Sequence, residues 1–98
     1  MKKHTKIYYK KLNYFYEDFV PSEISQVKAV DIHHIVNREN RIENLMAVTR
    51  IEHLKYGDKK KYMVFLLNIH YNFLLLNNID FDKKWFNQNI NKYKIYAQ

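Results

Sequence analysis

Between Val27 and Gly57 the chain runs two short apolar segments, a turn cluster and a helix-start signature together, and that order constrains its fold more than any other feature. Val27-Lys28-Ala29-Val30-Asp31-Ile32 partly alternates apolar and polar residues and predicts a strand. Asn37-Arg38-Glu39-Asn40 is rich in turn formers, and Leu45-Met46-Ala47-Val48 predicts a short buried strand. Thr49 followed by Glu52 matches a capping box, in which hydroxyl and carboxylate satisfy the free amides of a helix start. That helix should begin near Arg50 and stop at Gly57, a residue suited to the left-handed turn of a helix end. The expectation is a β-hairpin followed by a short helix.

A chain of 98 residues with one glycine and one proline leaves no flexible linker, so one domain is expected. A domain of this size buries only about 60–65 % of the surface its unfolded chain exposes, and aromatic residues must supply much of the core. The absence of cysteine excludes disulfides, thiolate zinc sites and thiol nucleophiles. No apolar run of signal-peptide length follows Met1-Lys2-Lys3-His4. The longest apolar stretch, Tyr62 to Leu76, is interrupted by Asn68, His70 and Asn72 and falls short of the roughly 20 residues of a membrane span, so a soluble, cytoplasmic protein is expected. The net charge of +7 and pI of about 9.5 bias the surface toward a polyanion. A chain rich in Lys, Asn, Ile and Tyr also follows from an AT-rich coding sequence, so charge alone decides nothing.

Around the 27–57 core, residues 1–26 read as an N-terminal arm and 58–98 as a helical extension. The arm interleaves Lys6, Lys10 and Lys11 with Tyr8, Tyr9, Tyr14, Phe15, Tyr16 and Phe19. Such a pattern either stacks nucleic-acid bases or packs rings on the core, and the small core favours packing. In the extension, Asp58 is expected to cap a helix whose apolar face is Tyr62, Phe65, Leu66, Ile69, Phe73 and Leu76, ending at Asn77-Asn78. Asp82 is expected to start another through Trp85, Phe86 and Ile90. His70, alone in an apolar helical context, reads as structural.

The histidines then take different roles. Adjacent strand residues point to opposite faces, so His33 can face a metal held against the helix while His34 projects to the other side. Asp31 shares the face of His33 and is a candidate to orient it, to bind the metal itself, or to do neither. His53 supplies a second nitrogen from the helix. Two protein ligands leave positions open for water and phosphate oxygens, as a catalytic ion requires. His34 is the candidate general base, since an imidazole is substantially neutral at pH 7. Asn44 is expected to hydrogen-bond backbone across the loop and fix the hairpin.

The series Asp31-Ile32-His33-His34-Ile35, Arg41-Ile42-Glu43-Asn44-Leu45 and Thr49-Arg50-Ile51-Glu52-His53 resembles the HNH endonuclease motif, and Ala29 to Gly57 resembles the ββα-metal core of that family, particularly of small phage-type members. In the HNH domains of RNA-guided nucleases the last ligand has the same separation from the middle asparagine as His53 has from Asn44. The resemblance implies His34 as general base, His33 and His53 as metal ligands, Asn44 as the structural asparagine, and Mg²⁺ or another divalent ion such as Mn²⁺ as cofactor, with a 5′-phosphate and a 3′-hydroxyl as products. Many relatives hold a structural zinc on two Cys-x-x-Cys pairs. Ser22, Ser25, Thr49 and Glu52 occupy those places here, so no structural zinc is expected, and the capping box and aromatic flanks are expected to stabilise the core instead. Relatives of the colicin-DNase kind carry a further histidine where this chain has Gly57, which favours weakly bound Mg²⁺ or Mn²⁺ over tightly held zinc.

The fold class expected is therefore α+β, a ββα-metal core with C-terminal helices. The leading function is a metal-dependent DNA endonuclease that nicks as a monomer and needs a homodimer or partner for double-strand cleavage; RNA stays open as a substrate. Arg50 and Lys55 are the candidate phosphate contacts, with Lys59, Lys60 and Lys61 as a second basic run. A non-catalytic nucleic-acid-binding module and a regulatory protein docking through its apolar helices are the other two readings.

Overall fold

In the computed structural model, which describes residues 1–97, helix α1 (Lys3–Lys11) precedes strand β1 (Asp31–His34), a 3-10 turn (Ile42–Asn44), strand β2 (Leu45–Val48) and helices α2 (Arg50–Tyr56), α3 (Lys60–Leu76) and α4 (Lys83–Tyr93). A second 3-10 turn covers Lys94–Tyr96. The architecture is α+β. The two strands pair antiparallel in the register Asp31 with Val48 through His34 with Leu45. All four residues of β2 are buried, because α1 covers the hairpin and Leu66, Leu67, Leu74 and Phe86 of α3 and α4 complete the same core.

The N-terminal arm is helix α1, docked through Tyr8, which is fully buried and donates its hydroxyl to Glu23 Oε2 at 2.6 Å. The rings after it divide: Tyr9 and Tyr14 pack edge to face against each other, whereas Phe15, Tyr16 and Phe19 stay exposed. The expected strand from Val27 begins only at Asp31. Before it the chain makes one isolated bridge, Pro21 with Lys28, and single backbone bonds from Ala29 to Val20 and from Val30 to Val48, while the Val27 and Val30 side chains stay exposed.

Helix α2 has the expected bounds. Thr49 Oγ1 accepts the Glu52 amide at 3.1 Å, and Glu52 Oε1 accepts the Thr49 amide at 2.8 Å, completing the capping box. Ser22 donates its hydroxyl to the same Glu52 oxygen at 2.6 Å while its Oγ accepts the amides of Ile24 and Ser25. Burial raises the Glu52 pKa, but the hydroxyls of Ser22, Ser25 and Thr49 outweigh it and hold the carboxyl below its ordinary range. Ser22, Ser25, Thr49 and Glu52 are thus one hydrogen-bonded cluster that ties the segment before β1 to the start of α2.

Two helix-end expectations are corrected. Gly57 has φ −67°, and the left-handed residue is Asp58 at φ 59°. Asp58 therefore does not cap α3; the N-cap is Lys59, without a side-chain bond. The buried face of α3 is also rotated from the expected one, running Met63, Leu66, Leu67, His70 and Leu74, while Phe65 is half-exposed and Leu76 exposed. An apolar helix offers several stripes of the same period, and here the histidine selects one. His70 donates Nδ1–H to Glu23 Oε1 and Nε2–H to the Ile42 carbonyl, both at 2.6 Å, so its structural reading holds. For α4 the expectation stands: Asp82 caps it by accepting the amides of Lys84 and Trp85. No helix among the described residues is long and apolar enough to cross a membrane.

Candidate active site

Because β1 is pleated, its two histidines leave the strand on different sides. His33 faces α2 with its ring tilted against His53, centroids 4.7 Å apart; His34 faces α1 with its ring tilted against His4 at 4.5 Å. Both pairs border one cleft of about 580 Å³, also lined by Lys2, Asp31, Arg38 and Asp58.

His33 is only 3 % exposed, and its Nε2 is the one buried side-chain polar atom without a hydrogen-bond partner among the described residues. Burial, reinforced by the neighbouring His53, pushes its pKa down to about 4. Near neutral pH the ring is therefore uncharged, and one of its two nitrogens keeps a lone pair. An unpaired buried nitrogen is unfavourable by roughly 1–3 kcal/mol unless something binds it.

Gly57 keeps that position open. A Cβ there would lie 2.4 Å from the His53 carbonyl oxygen, 2.7 Å from His53 Cδ2 and 3.3 Å from His33 Cε1. The glycine is thus required by close approach to both rings rather than by backbone conformation.

Asp31 orients His53, not His33. Its Oδ2 lies 3.0 Å from His53 Nδ1 and accepts Arg50 Nε at 2.8 Å, while Oδ1 accepts Arg50 Nη2 at 3.0 Å. Burial raises the Asp31 pKa, and the bonds from His53 and Arg50 more than reverse that. With Nδ1 of His53 committed to a carboxylate, Nε2 is the nitrogen left for a ligand, the usual support for a metal-binding imidazole.

His34 is held from the turn. Asn40 Oδ1 lies 2.8 Å from His34 Nε2 and accepts its hydrogen, which leaves the lone pair on Nδ1. The turn is itself fixed by Asn44, fully buried: its Oδ1 accepts the Val36 amide, and its Nδ2 donates to the Asn37 carbonyl, to Asn37 Oδ1 and to the Glu39 carbonyl, all at 2.9–3.0 Å. Asn44 does stitch the hairpin loop to the strand.

None of the expected phosphate contacts lines this cleft directly. Arg50 is engaged with Asp31, and Lys55 and Lys61 border a different cleft beside Tyr56 and Tyr62. Lys59 donates to the Leu54 and Lys55 carbonyls and closes the end of α2, and Lys60 sits over the Tyr96 ring. The basic groups lining the histidine cleft are Lys2 and Arg38. Sequence reasoning missed both, with His4 and Asn40. Arg38 and Asn40 were legible as members of the turn cluster, whereas Lys2 and His4 reach the cleft only through the docking of α1.

A divalent ion fits the donor set in part. His33 Nε2 is orphaned, His53 stands beside it and Gly57 leaves the room, yet no group of three or more His, Cys, Asp or Glu among the described residues is arranged around one point. Two nitrogens would hold the ion and the remaining positions would fall to water and substrate. No protein-family model, curated protein or solved structure matches the chain. Fold and site together define a small α+β protein whose hairpin and following helix bring three histidines to one cleft.

Proposed function

We propose that this protein is a metal-dependent endonuclease of the HNH type, acting on the phosphodiester bonds of DNA. The observation that carries the reading is the orphaned, uncharged Nε2 of buried His33 beside His53, one strand position from His34, whose ring is held with a free Nδ1. An uncharged buried imidazole beside a second imidazole, with open space between, is a cation site, and an oriented imidazole next to it is a base. A divalent ion held by His33 and His53 would supply charge stabilisation for the scissile phosphate and the departing oxygen. His34 Nδ1 takes a proton from the attacking water; the new P–O bond forms as the bond to the 3′ oxygen breaks, leaving a 5′-phosphate and a 3′-hydroxyl. Asn40 keeps the His34 ring from turning, and Asp31 does the same for His53. One such site cuts one strand, so the monomer nicks.

Conversion of supercoiled plasmid in Mg²⁺, Mn²⁺ or EDTA tests the proposal. Nicking is expected with either ion, abolished by EDTA and by His34→Ala. Cleavage that survives in His34→Ala removes the assigned base, and no cleavage of DNA by folded wild-type protein with any ion removes the enzyme.

A further inference from the structure

A second cleft, of about 600 Å³, opens where the end of α2 meets the first turns of α3, a volume within the roughly 300–1,000 Å³ of small-ligand sites. Its lining is aromatic. Tyr62 stands edge-on to Tyr56 with centroids 5.0 Å apart, and Phe65 tilts against the same ring at 5.3 Å, so three rings are set before any ligand arrives. Phe65 nonetheless stays 43 % exposed. Lys55 and Lys61 flank the rings, their ammoniums 5.2 Å from the Tyr56 centroid and 5.1 Å from that of Tyr62. Asn68, one turn beyond Phe65 on α3, borders the cleft with a donor and an acceptor, and no Asp or Glu among the described residues lines it.

We propose that this cleft binds an unpaired nucleotide of the DNA strand, its base stacked on Phe65 and Tyr62 and its phosphate held by Lys55 and Lys61. The proposal rests on the nuclease reading for the identity of the strand. Rings alone would suit many apolar ligands; two ammoniums without a carboxylate select an anion, and the flat aromatic anion that a nuclease meets is a nucleotide. A second copy of the chain is disfavoured, because a two-fold contact here would bring the same lysines of a +7 chain together. Duplex DNA hides its base faces, so stacking calls for a base that is unpaired or turned out of the helix. The histidines are within reach of such a strand: His53 lines the first cleft, and Lys55 and Tyr56 the second, so the end of α2 is the wall between them. One helix is roughly 10–12 Å thick, or about three nucleotides at a rise of about 3.4 Å along a DNA strand. The substrate this selects carries an unpaired nucleotide about three positions from the bond that is cut.

The test is binding in EDTA, where no cut occurs. A fluorescent single-stranded oligothymidylate and a duplex are titrated with wild-type protein, with Phe65→Ala and Phe65→Tyr, and with Lys55→Gln/Lys61→Gln, over a range of salt. Lys83→Gln/Lys84→Gln, at the start of α4 and outside both clefts, is the control for charge alone. Wild type should prefer the single strand; Phe65→Ala should weaken that binding about tenfold, the worth of one stacked base, and Phe65→Tyr should restore it. In Lys55→Gln/Lys61→Gln the slope of log K against log salt should be shallower by about 1.4, two phosphate contacts on a single strand, and the control should change affinity less. Thymidine 5′-monophosphate added to metal-free wild-type protein should shift the backbone amide signals of Tyr62 and Phe65 and the side-chain amide of Asn68, a readout that needs no variant to fold. Unmoved signals, equal single-strand affinity in Phe65→Ala, or a control as impaired as Lys55→Gln/Lys61→Gln overturns the nucleotide site. A dimer in sedimentation that Phe65→Ala dissociates would give the cleft to a second copy and overturn it as well. Binding as expected without cleavage in Mg²⁺ or Mn²⁺ leaves the site standing and overturns only the nuclease.

Discussion

Gly57→Ala is the sharpest probe of the histidine cleft, because one added carbon meets both rings and nothing else changes. At φ −67° alanine fits the backbone freely, so no conformational strain enters. The methyl would lie 2.4 Å from the His53 carbonyl oxygen and 2.7 Å from its Cδ2. The carbonyl accepts the Gly57 amide at 2.9 Å and recedes only by opening the end of α2, so relief of both contacts shifts that helix end and the His53 ring with it. Overpacking of this kind is destabilising by about 1–3 kcal/mol. Taking about 2 kcal/mol, Tm should fall by roughly 8–16 °C in a domain of this size. Domain stabilities of about 5–15 kcal/mol leave roughly 99 % of the variant folded near room temperature, so activity measured there reports geometry rather than unfolding. A displacement of about 1 Å in a catalytic group costs on the order of 100-fold in rate. Plasmid nicking in Mn²⁺ should therefore fall by about two orders of magnitude, and Mn²⁺ binding followed by water proton relaxation should weaken with it. An alanine variant with wild-type Tm and wild-type Mn²⁺ affinity would refute the argument that Gly57 holds open a cation site.

Asn44→Asp replaces three donated hydrogen bonds with a buried carboxylate facing three oxygens, and should lower stability by more than the roughly 2–4 kcal/mol expected for Asn44→Ala; urea denaturation measures both. Glu52→Ala removes the capping box and the Ser22 anchor together and should lower stability by about 1–2 kcal/mol, read from the urea midpoint. For His70, burial lowers the pKa, but the Glu23 carboxylate outweighs it and the net shift is upward. Its stabilisation is therefore full below the unfolded histidine value of about 6.5 and is lost as pH rises through the elevated folded value, so the urea midpoint of wild type should decline over that alkaline limb and that of His70→Gln should not.

Local order was legible in this sequence wherever neighbours in the chain decide it. The capping box at Thr49 and Glu52, the buried run Leu45–Val48 and the Asp82 cap depend on residues a few places apart, and each stands where the pattern put it. The pairing of His33 with His53 followed from the hairpin and helix in the same way. What escaped depends on docking between distant segments. Nothing near His4 signals that α1 will carry it to His34, and nothing in Lys55 or Lys59–Lys61 signals that they turn from the cleft. Strand spacing relates Asp31 only to His33 on its own strand and leaves its role open, whereas its partner is on α2.

The residue that joins these distant pieces is Glu23, which no motif includes. One carboxylate accepts from Tyr8 of α1, from the Ala47 amide of β2 and, through its other oxygen, from His70 of α3, while its own amide donates to the Ala47 carbonyl. A buried charge is favourable only when its partners are all in place, so this arrangement penalises any packing in which α1 or α3 is misplaced. A small core offers little apolar surface to specify such placement, and the α3 stripe is ambiguous by sequence. The Glu23 network resolves that ambiguity by requiring His70 inward. It thereby fixes α1 against the hairpin, and with it the position of His4 and Lys2 over the cleft. Glu23→Gln should test this coupling: it keeps the side-chain shape but removes the charge that both Tyr8 and His70 need. Besides lowering the urea midpoint, it should loosen α1, seen as faster amide hydrogen exchange at Tyr8 through Lys11, whose bonds are otherwise helical. Exchange raised in α3 alone would mean that α1 is held by apolar contact and that the polar network does not position it.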